Sequence, residues 1–193
     1  MKLDIDPKAE GLIFDMDGTL ADSMPIHFEA WKITAREQGF EFTEDQFLGM
    51  AGMPTWRIVP VINERLGLNI DPEKFSRRKE QVFLELLTEV KPVIPVVKLV
   101  YKYHNKLPMS IGTGGKKEIA GLTIRMLGLD KYIDIVVAAD DVKNHKPAPD
   151  TFLECARLMR VEPSLCQVFE DGEMGLKAAE AAGMIATDIR PYV

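Results

Sequence analysis

Two aspartates, Asp15 and Asp17, follow the apolar run Leu12-Ile13-Phe14 with one residue between them. Side chains alternate along a strand, so residues two apart point to the same side. Two carboxylates held so close repel each other, and the pKa of one should rise unless a cation lies nearby. The spacing therefore predicts either a divalent metal site or an aspartic acid that donates a proton. Gly18 allows a sharp turn after the pair, and Thr19 offers a hydroxyl to orient a carboxylate.

Polar groups also follow three later apolar runs. Thr113-Gly114-Gly115 combines a hydroxyl with glycine N–H groups at the start of a helical pattern, which is a natural anion site. Lys146 is followed at once by Pro147, and another run ends in Glu170-Asp171. In open α/β sheets, ligands bind outside the carboxyl ends of the strands. Since Mg²⁺ prefers hard oxygen ligands, the whole set predicts a site for a phosphoryl group and Mg²⁺.

The elements that must position these residues alternate between short apolar runs and amphipathic segments. This pattern predicts an α/β fold with a doubly wound, Rossmann-like parallel sheet. The predicted strands are residues 11–15, 108–112, 133–139, 167–170 and 185–188.

Roughly ninety residues separate the first two strands, far more than a crossover needs. Their periodicity is helical, so we expect a helical insert. We predict that residues 1–21 and 92–193 form the α/β core domain and that residues 22–91 form a helical cap domain. Within the insert, Thr43 and Gln46 form a capping-box pattern. Pro60 predicts a helix that is short, kinked or broken at that position.

Composition excludes several classes of protein. The 193 residues are 46% hydrophobic and carry a net charge of −6, which argues against a nucleic-acid partner. No apolar run has membrane-spanning length, so no membrane partner is expected, and the first ten residues do not resemble a secretory signal. Cys155 and Cys166 lack metal-ligand spacing and are expected to be buried and reduced. We expect a cytoplasmic monomer.

The four groups of residues, in order, resemble the four motifs of the haloacid dehalogenase-like (HAD) phosphatase superfamily. They are Asp15-Met16-Asp17-Gly18-Thr19-Leu20, Thr113, Lys146 and Glu170-Asp171. The resemblance covers essentially the whole chain and extends to the β-phosphoglucomutase-like branch with a helical cap. Gly52-Met53-Pro54-Thr55-Trp56-Arg57, Ile111-Gly112-Thr113-Gly114 and residues 136–152 are most similar to small bacterial phosphatases of fructose 1-phosphate and 6-phosphogluconate.

This resemblance implies a role for each motif residue. Asp15 would be the nucleophile that forms an aspartyl-phosphate, and Asp17 the general acid and base. Thr113, Gly114 and Lys146 would bind the phosphoryl oxygens. Asp15, Asp17 through its backbone carbonyl, Glu170 and Asp171 would hold Mg²⁺.

The cap would then exclude water and contact a small phosphorylated sugar. The candidate contacts are His27, Trp31, Thr55, Arg57 and Lys79. Two of them have equally ordinary interpretations, because Trp31 suits a helix core and Lys79 ends the charged run Arg77-Arg78-Lys79, which is typical of a solvated face.

Three alternative functions fit these residues less well. A β-phosphoglucomutase would carry a cap arginine where this chain has Thr55; the loss of that phosphate clamp favours hydrolysis, although Arg57 lies close in sequence. A receiver-like phospho-aspartate switch would not be an enzyme, but it explains neither the order of the acidic residues nor the helical insert. Dehalogenation has no use for a second carboxylate at Asp17 or for Mg²⁺.

Overall fold

The computed structural model of the chain describes residues 3–50 and 53–193, so Gly52 of the motif quoted above lies outside the described residues. The helices and strands of this part follow in chain order. They are β1 (Gly11–Phe14), β2 (Ala21–Asp22), α1 (Met24–Glu37), α2 (Glu44–Gly49), α3 (Thr55–Leu66), α4 (Pro72–Glu85), β3 (Lys91–Pro92), α5 (Ile94–Tyr103), β4 (Met109–Gly112), α6 (Lys117–Met126), β5 (Ile135–Val137), α7 (Asp150–Met159), β6 (Cys166–Glu170), α8 (Glu173–Ala181) and β7 (Ile185–Asp188).

Five strands form one sheet in the order β5-β4-β1-β6-β7. All four pairings are parallel, and Phe14 of β1 lies opposite Ile111 of β4 and Phe169 of β6. The carboxyl ends of the strands therefore meet at one edge of the sheet, next to the first aspartate. The predicted α/β fold with a parallel sheet is confirmed.

The predicted strand at residues 133–139 is too long, because β5 spans only Ile135–Val137. The N–H of Ile133 donates to the carbonyl of Leu129 over 3.1 Å. That bond keeps Ile133 in a helical turn and delays the start of the strand.

The core of the sheet is apolar on both faces. All four residues of β1 are buried, as expected for a central parallel strand. On one face, Ile13 and Val168 belong to a cluster with Phe152 of α7 and Ala178 of α8. Cys155 and Cys166 lie in the same cluster with free, buried thiols.

The chain divides into two compact units. One is Ser23–Val90, which contains α1 to α4, and the other combines the described residues before Ser23 with Lys91–Val193. Strands β2 and β3 pair antiparallel where the chain leaves and re-enters the larger unit. That the helical unit acts as a cap stays a prediction.

Local sequence explains how the helices of this unit begin. The Thr43 hydroxyl accepts from the Gln46 N–H over 3.3 Å and the Gln46 side chain accepts from the Thr43 N–H over 2.8 Å, so the capping box is confirmed. Asp71 caps α4 by accepting two backbone N–H groups. Of the predicted outcomes at Pro60, a break is wrong, since α3 continues through it, whereas a kink stays a prediction. Pro60 is exposed, so water can replace the hydrogen bond that proline removes.

Candidate active site

Three carboxylates meet where β1 and β6 end. Asp15 follows β1, and its N–H donates to the carbonyl of Phe169 over 3.0 Å, which ties the two strand ends together. Glu170 is the last residue of β6, and Asp171 comes directly after it. One oxygen of each carboxylate lies within 4.8 Å of the others, and Asp15 and Glu170 are each only 5% exposed. This spacing suits a shared metal ion.

Lys146 is the cation of this cluster. Its Nζ donates to Oδ1 of Asp15 over 2.6 Å and to Oε2 of Glu170 over 3.0 Å. The same ammonium lies 4.6 Å from the centre of the Phe152 ring, which covers it from the core side. The Lys146 ammonium is therefore held directly beside the Asp15 carboxylate, where it can also bind an oxygen of a phosphoryl group.

The electrostatics of the cluster are dominated by burial. Desolvation raises the pKa of Asp15 and raises that of Glu170 to about 8, with Lys146 offsetting part of both shifts. Desolvation and the charge of Asp15 raise the pKa of Asp171 to about 6. Burial opposes the charge of Lys146, but Asp15 and Glu170 outweigh it and raise the pKa of the amine. One ammonium thus leaves the carboxylates under-neutralised, and a divalent cation would complete the balance.

The loop after β1 is a tight turn closed on itself. The Met16 carbonyl accepts from the N–H groups of Thr19, Leu20 and Ala21 over 2.9–3.3 Å. Gly18 has a φ of +89°, a conformation that glycine adopts without strain. The Thr19 hydroxyl donates to Oδ1 of Asp171 over 2.8 Å, so it orients a carboxylate as the sequence predicts.

Asp17 lies within this turn and is partly exposed. Its charge contributes to the raised pKa of Asp15, which places the two carboxylates within electrostatic range of each other. A Cβ built on Gly115 would lie 3.7 Å from Oδ2 of Asp17. The structure therefore brings Asp17 next to the loop after β4.

That loop supplies the predicted phosphate-binding groups. Thr113 is 1% exposed, and its hydroxyl accepts from the N–H of Gly115 over 3.0 Å. The hydroxyl hydrogen remains available to donate to an anion. Gly114 is exposed with open space around it, so a ligand oxygen can reach its backbone. Lys116 is exposed at the start of α6.

Two predicted cap residues, His27 and Lys79, contact each other. Nζ of Lys79 lies 2.7 Å from Nδ1 of His27, and the imidazole stacks on Phe83 with ring centres 4.1 Å apart. Lys79 is only 7% exposed, so it does not belong to a solvated face. The sequence pattern missed this pairing, which joins positions 52 residues apart.

The other three predicted cap residues lie in different surroundings. Trp31 is 3% exposed and packs between Phe42 and Phe75, with ring centres 4.5 and 5.0 Å away. That packing favours the helix-core interpretation of Trp31 over a sugar contact, because the indole is part of the apolar core of the helical unit. Thr55 is the first residue of α3, and the exposed Arg57 guanidinium lies 4.9 Å from the Trp56 ring.

In the described part of the chain, residues 3–50 and 53–193, we find no helix both long and apolar enough to cross a membrane.

Comparisons with known proteins agree with the geometry. The haloacid dehalogenase-like hydrolase family matches residues 12–188. The chain is 44% identical to fructose-1-phosphate phosphatase YqaB of Escherichia coli, over 93% of this chain and 96% of that protein. It is 36% identical to a phosphorylated carbohydrates phosphatase of Thermotoga maritima, over 91% of this chain and 82% of that protein.

A solved structure shows the same fold. The β-phosphoglucomutase of Clostridium difficile matches 93% of this chain and 84% of its own, with a TM-score of 0.81 and 24% identity. Family matches of this extent identify an enzyme and leave no place for a receiver-like switch. The chain belongs to the haloacid dehalogenase-like hydrolase family.

Proposed function

We propose that the protein is a Mg²⁺-dependent phosphatase that hydrolyses small sugar phosphates, of the fructose 1-phosphate and 6-phosphogluconate type, through an aspartyl-phosphate. The observation that carries the proposal is the buried contact of 2.6 Å between Lys146 Nζ and Asp15 Oδ1, beside the carboxylates of Glu170 and Asp171. A nucleophilic carboxylate, a phosphate-binding cation and a metal site thereby share one strand edge. The names of the E. coli and T. maritima relatives support a phosphorylated carbohydrate as substrate.

The donor set fits Mg²⁺. Asp15, Glu170 and Asp171 offer only hard oxygen ligands, and their shared burial leaves more negative charge than Lys146 balances. These three side chains and the backbone carbonyl of Asp17 would hold the ion. When bound, Mg²⁺ supplies positive charge that screens these carboxylates from a phosphate dianion.

The chemistry divides between the two aspartates of the first motif. Asp15 attacks phosphorus and forms the acyl-phosphate bond, while the bond from phosphorus to the sugar oxygen breaks. Asp17 gives its proton to that leaving oxygen. It then accepts a proton from the water that attacks phosphorus, and inorganic phosphate leaves with Asp15 restored. The partial exposure of Asp17 suits an exchange of protons with substrate and water.

The transferring phosphoryl group is bound by three groups in this proposal. Thr113 donates its hydroxyl hydrogen, since its oxygen already accepts from Gly115. The backbone N–H of the exposed Gly114 and the ammonium of Lys146 bind the remaining oxygens. These donors stand ready before substrate arrives, so little reorganisation is needed as charge shifts in the transition state.

We further propose that the helical unit contributes His27, Lys79, Thr55 and Arg57 to sugar binding. A protonated Lys79 donates to Nδ1 of His27, which places the imidazole hydrogen on Nε2. His27 can then donate to a sugar hydroxyl from a fixed ring. Thr55 has no guanidinium to retain a second phosphate, and this favours hydrolysis over the mutase reaction.

The test is phosphate release with Mg²⁺ from fructose 1-phosphate, 6-phosphogluconate, glucose 6-phosphate and β-glucose 1-phosphate. The last is also assayed with a bisphosphate primer for glucose 6-phosphate. We expect free phosphate from the first two without isomerisation. Isomerisation without net phosphate release would contradict the proposal and identify a mutase.

A further inference from the structure

Two glycines lie directly against the two carboxylates that β6 contributes to the active site. A Cβ built on Gly175, in the first turn of α8, would lie 2.6 Å from Cγ of Glu170 and closer still to its carboxyl group. A Cβ on Gly18 would lie 2.6 Å from Cγ and 2.8 Å from Oδ1 of Asp171. Among the glycines that the structure describes, only these two place a Cβ closer than 3.0 Å to another residue.

Gly175 is not required by its own backbone. Its φ lies outside the left-handed region, and it sits inside a helix, where alanine is the better helix former. Gly18 differs, because its φ of +89° favours glycine for a second reason. The space needed by Glu170 is therefore what explains a glycine at position 175.

The Glu170 carboxylate is held on its other sides by hydrogen bonds. The N–H of Gly172 donates to Oε1 over 3.2 Å, and Lys146 donates to Oε2 over 3.0 Å. On the remaining side, the backbone of α8 at Gly175 lies directly against the Glu170 carboxylate. Any side chain there would push the carboxylate out of reach of these donors.

We propose that Gly175 and Gly18 are positioning residues, which leave the space that fixes the Glu170 and Asp171 carboxylates at the metal site. The inference rests on the proposed function in one respect, namely that these carboxylates bind Mg²⁺. It assigns to a glycine outside the acidic motif a direct effect on metal affinity.

Gly175→Ala is the cleaner test, and Gly121→Ala is its matched control. Gly121 lies inside α6, and its added Cβ would meet nothing closer than the flexible tip of Arg125, 3.6 Å away. In protein freed of metal with EDTA, we expect Gly121→Ala to leave the melting temperature unchanged or raise it. Gly175→Ala should lower it by more than about 5 °C, as expected for a buried steric clash.

A double-mutant cycle assigns that loss to Glu170. In a Glu170→Ala background the clash is absent, so we expect Gly175→Ala to change the melting temperature by less than about 2 °C. An equal loss in both backgrounds would overturn the proposal, because the space would then serve other atoms. A melting temperature raised by Gly175→Ala, as in the control, would overturn it as well.

The second readout is Mg²⁺ binding, measured by calorimetric titration of the metal-free protein with MgCl₂. We expect Gly175→Ala to weaken binding at least about tenfold and Gly121→Ala to leave it unchanged. Unchanged affinity in Gly175→Ala would overturn the positioning role. Neither readout uses a substrate, so failure of the wild type to release phosphate would refute the proposed function without affecting this test.

Discussion

Replacement of Lys146 by methionine should expose how strongly the active site depends on one buried cation. Methionine keeps the length and most of the volume of lysine, so the packing on Phe152 is largely preserved. What is lost is an ammonium that donates over 2.6 Å to Asp15 and over 3.0 Å to Glu170. The two carboxylates would then face each other in a buried site with no positive charge between them.

The expected loss of stability follows from the burial of the three charged side chains. The Lys146 side chain is 10% exposed, and those of Asp15 and Glu170 are 8% and 6% exposed. Removing one partner of a buried ion pair costs about 3–5 kcal/mol, because it leaves uncompensated charge. For a chain of this size, about 2–4 °C of melting temperature corresponds to each kcal/mol, so a decrease of about 6–20 °C is expected.

The assay is thermal unfolding at pH 8 in EDTA, repeated with saturating MgCl₂. We expect the metal-free Lys146→Met protein to melt well below the wild type. Mg²⁺ should recover more stability in the variant than in the wild type, since the ion would supply the missing positive charge. Turnover should remain low even with Mg²⁺, because the cation proposed to bind the phosphoryl group is absent.

Lys117→Met is the matched control. Lys117 pairs with Asp141 over the same 2.6 Å, but its side chain is 59% exposed. An exposed pair contributes about 0.2–1 kcal/mol, so this variant should melt within a few degrees of the wild type. If Lys146→Met in EDTA melts no lower than Lys117→Met, the argument from buried charge is refuted.

Three further predictions follow from the same geometry. Asp15→Asn should lower turnover at least about a thousandfold without altering the circular dichroism spectrum, because the amide cannot attack phosphorus; activity near that of the wild type would contradict the nucleophile assignment. The raised pKa of Asp171, about 6 against 3.8, means that its contribution to metal-free stability is present below pH 3.8 and is lost as the pH rises through 6, by about 3 kcal/mol. Because part of that loss has already occurred at pH 5, urea unfolding in EDTA at pH 5 and pH 8 should show about 1.4 kcal/mol of it from Asp171 in the wild type and a smaller loss in Asp171→Asn; equal losses would refute the sign. Lys79→Met should keep the fold and raise the KM for a sugar phosphate several-fold, and kinetics indistinguishable from the wild type would remove Lys79 from the sugar site.

Much of the fold could be predicted from sequence, because the signals were local. An apolar run followed at once by Asp15 marks the end of a buried strand, and parallel topology brings such ends to one edge. The start of β5 could not be predicted in the same way, since the apolar run begins at Ile133 but the strand begins at Ile135. The N–H of Ile133 bonds to Leu129, and the choice between a turn and a strand depends on packing that an apolar residue type does not specify.

The helical unit shows why charge pattern alone misleads. Arg77 and Arg78 behave as a charged run predicts, since Arg77 is exposed and Arg78 pairs with Glu37. Lys79 does not, because it lies four residues after Phe75 and four before Phe83, both of which are buried. Helical periodicity places all three residues on one face of α4. It therefore predicts the burial of Lys79 better than the neighbouring charges do.

The burial of Lys79 is therefore explained neither by a solvated helix face nor by a purely apolar core. A buried amine is costly to desolvate, and an apolar side chain of similar length would suit the same face at least as well for stability. The structure instead places Nζ 2.7 Å from an imidazole nitrogen, with the ring held flat against Phe83. We expect this contact to orient the imidazole, which is of use for binding a substrate. We therefore expect substrate to be held next to Lys79 as well as next to Lys146, whose ammonium contacts Asp15 and Glu170.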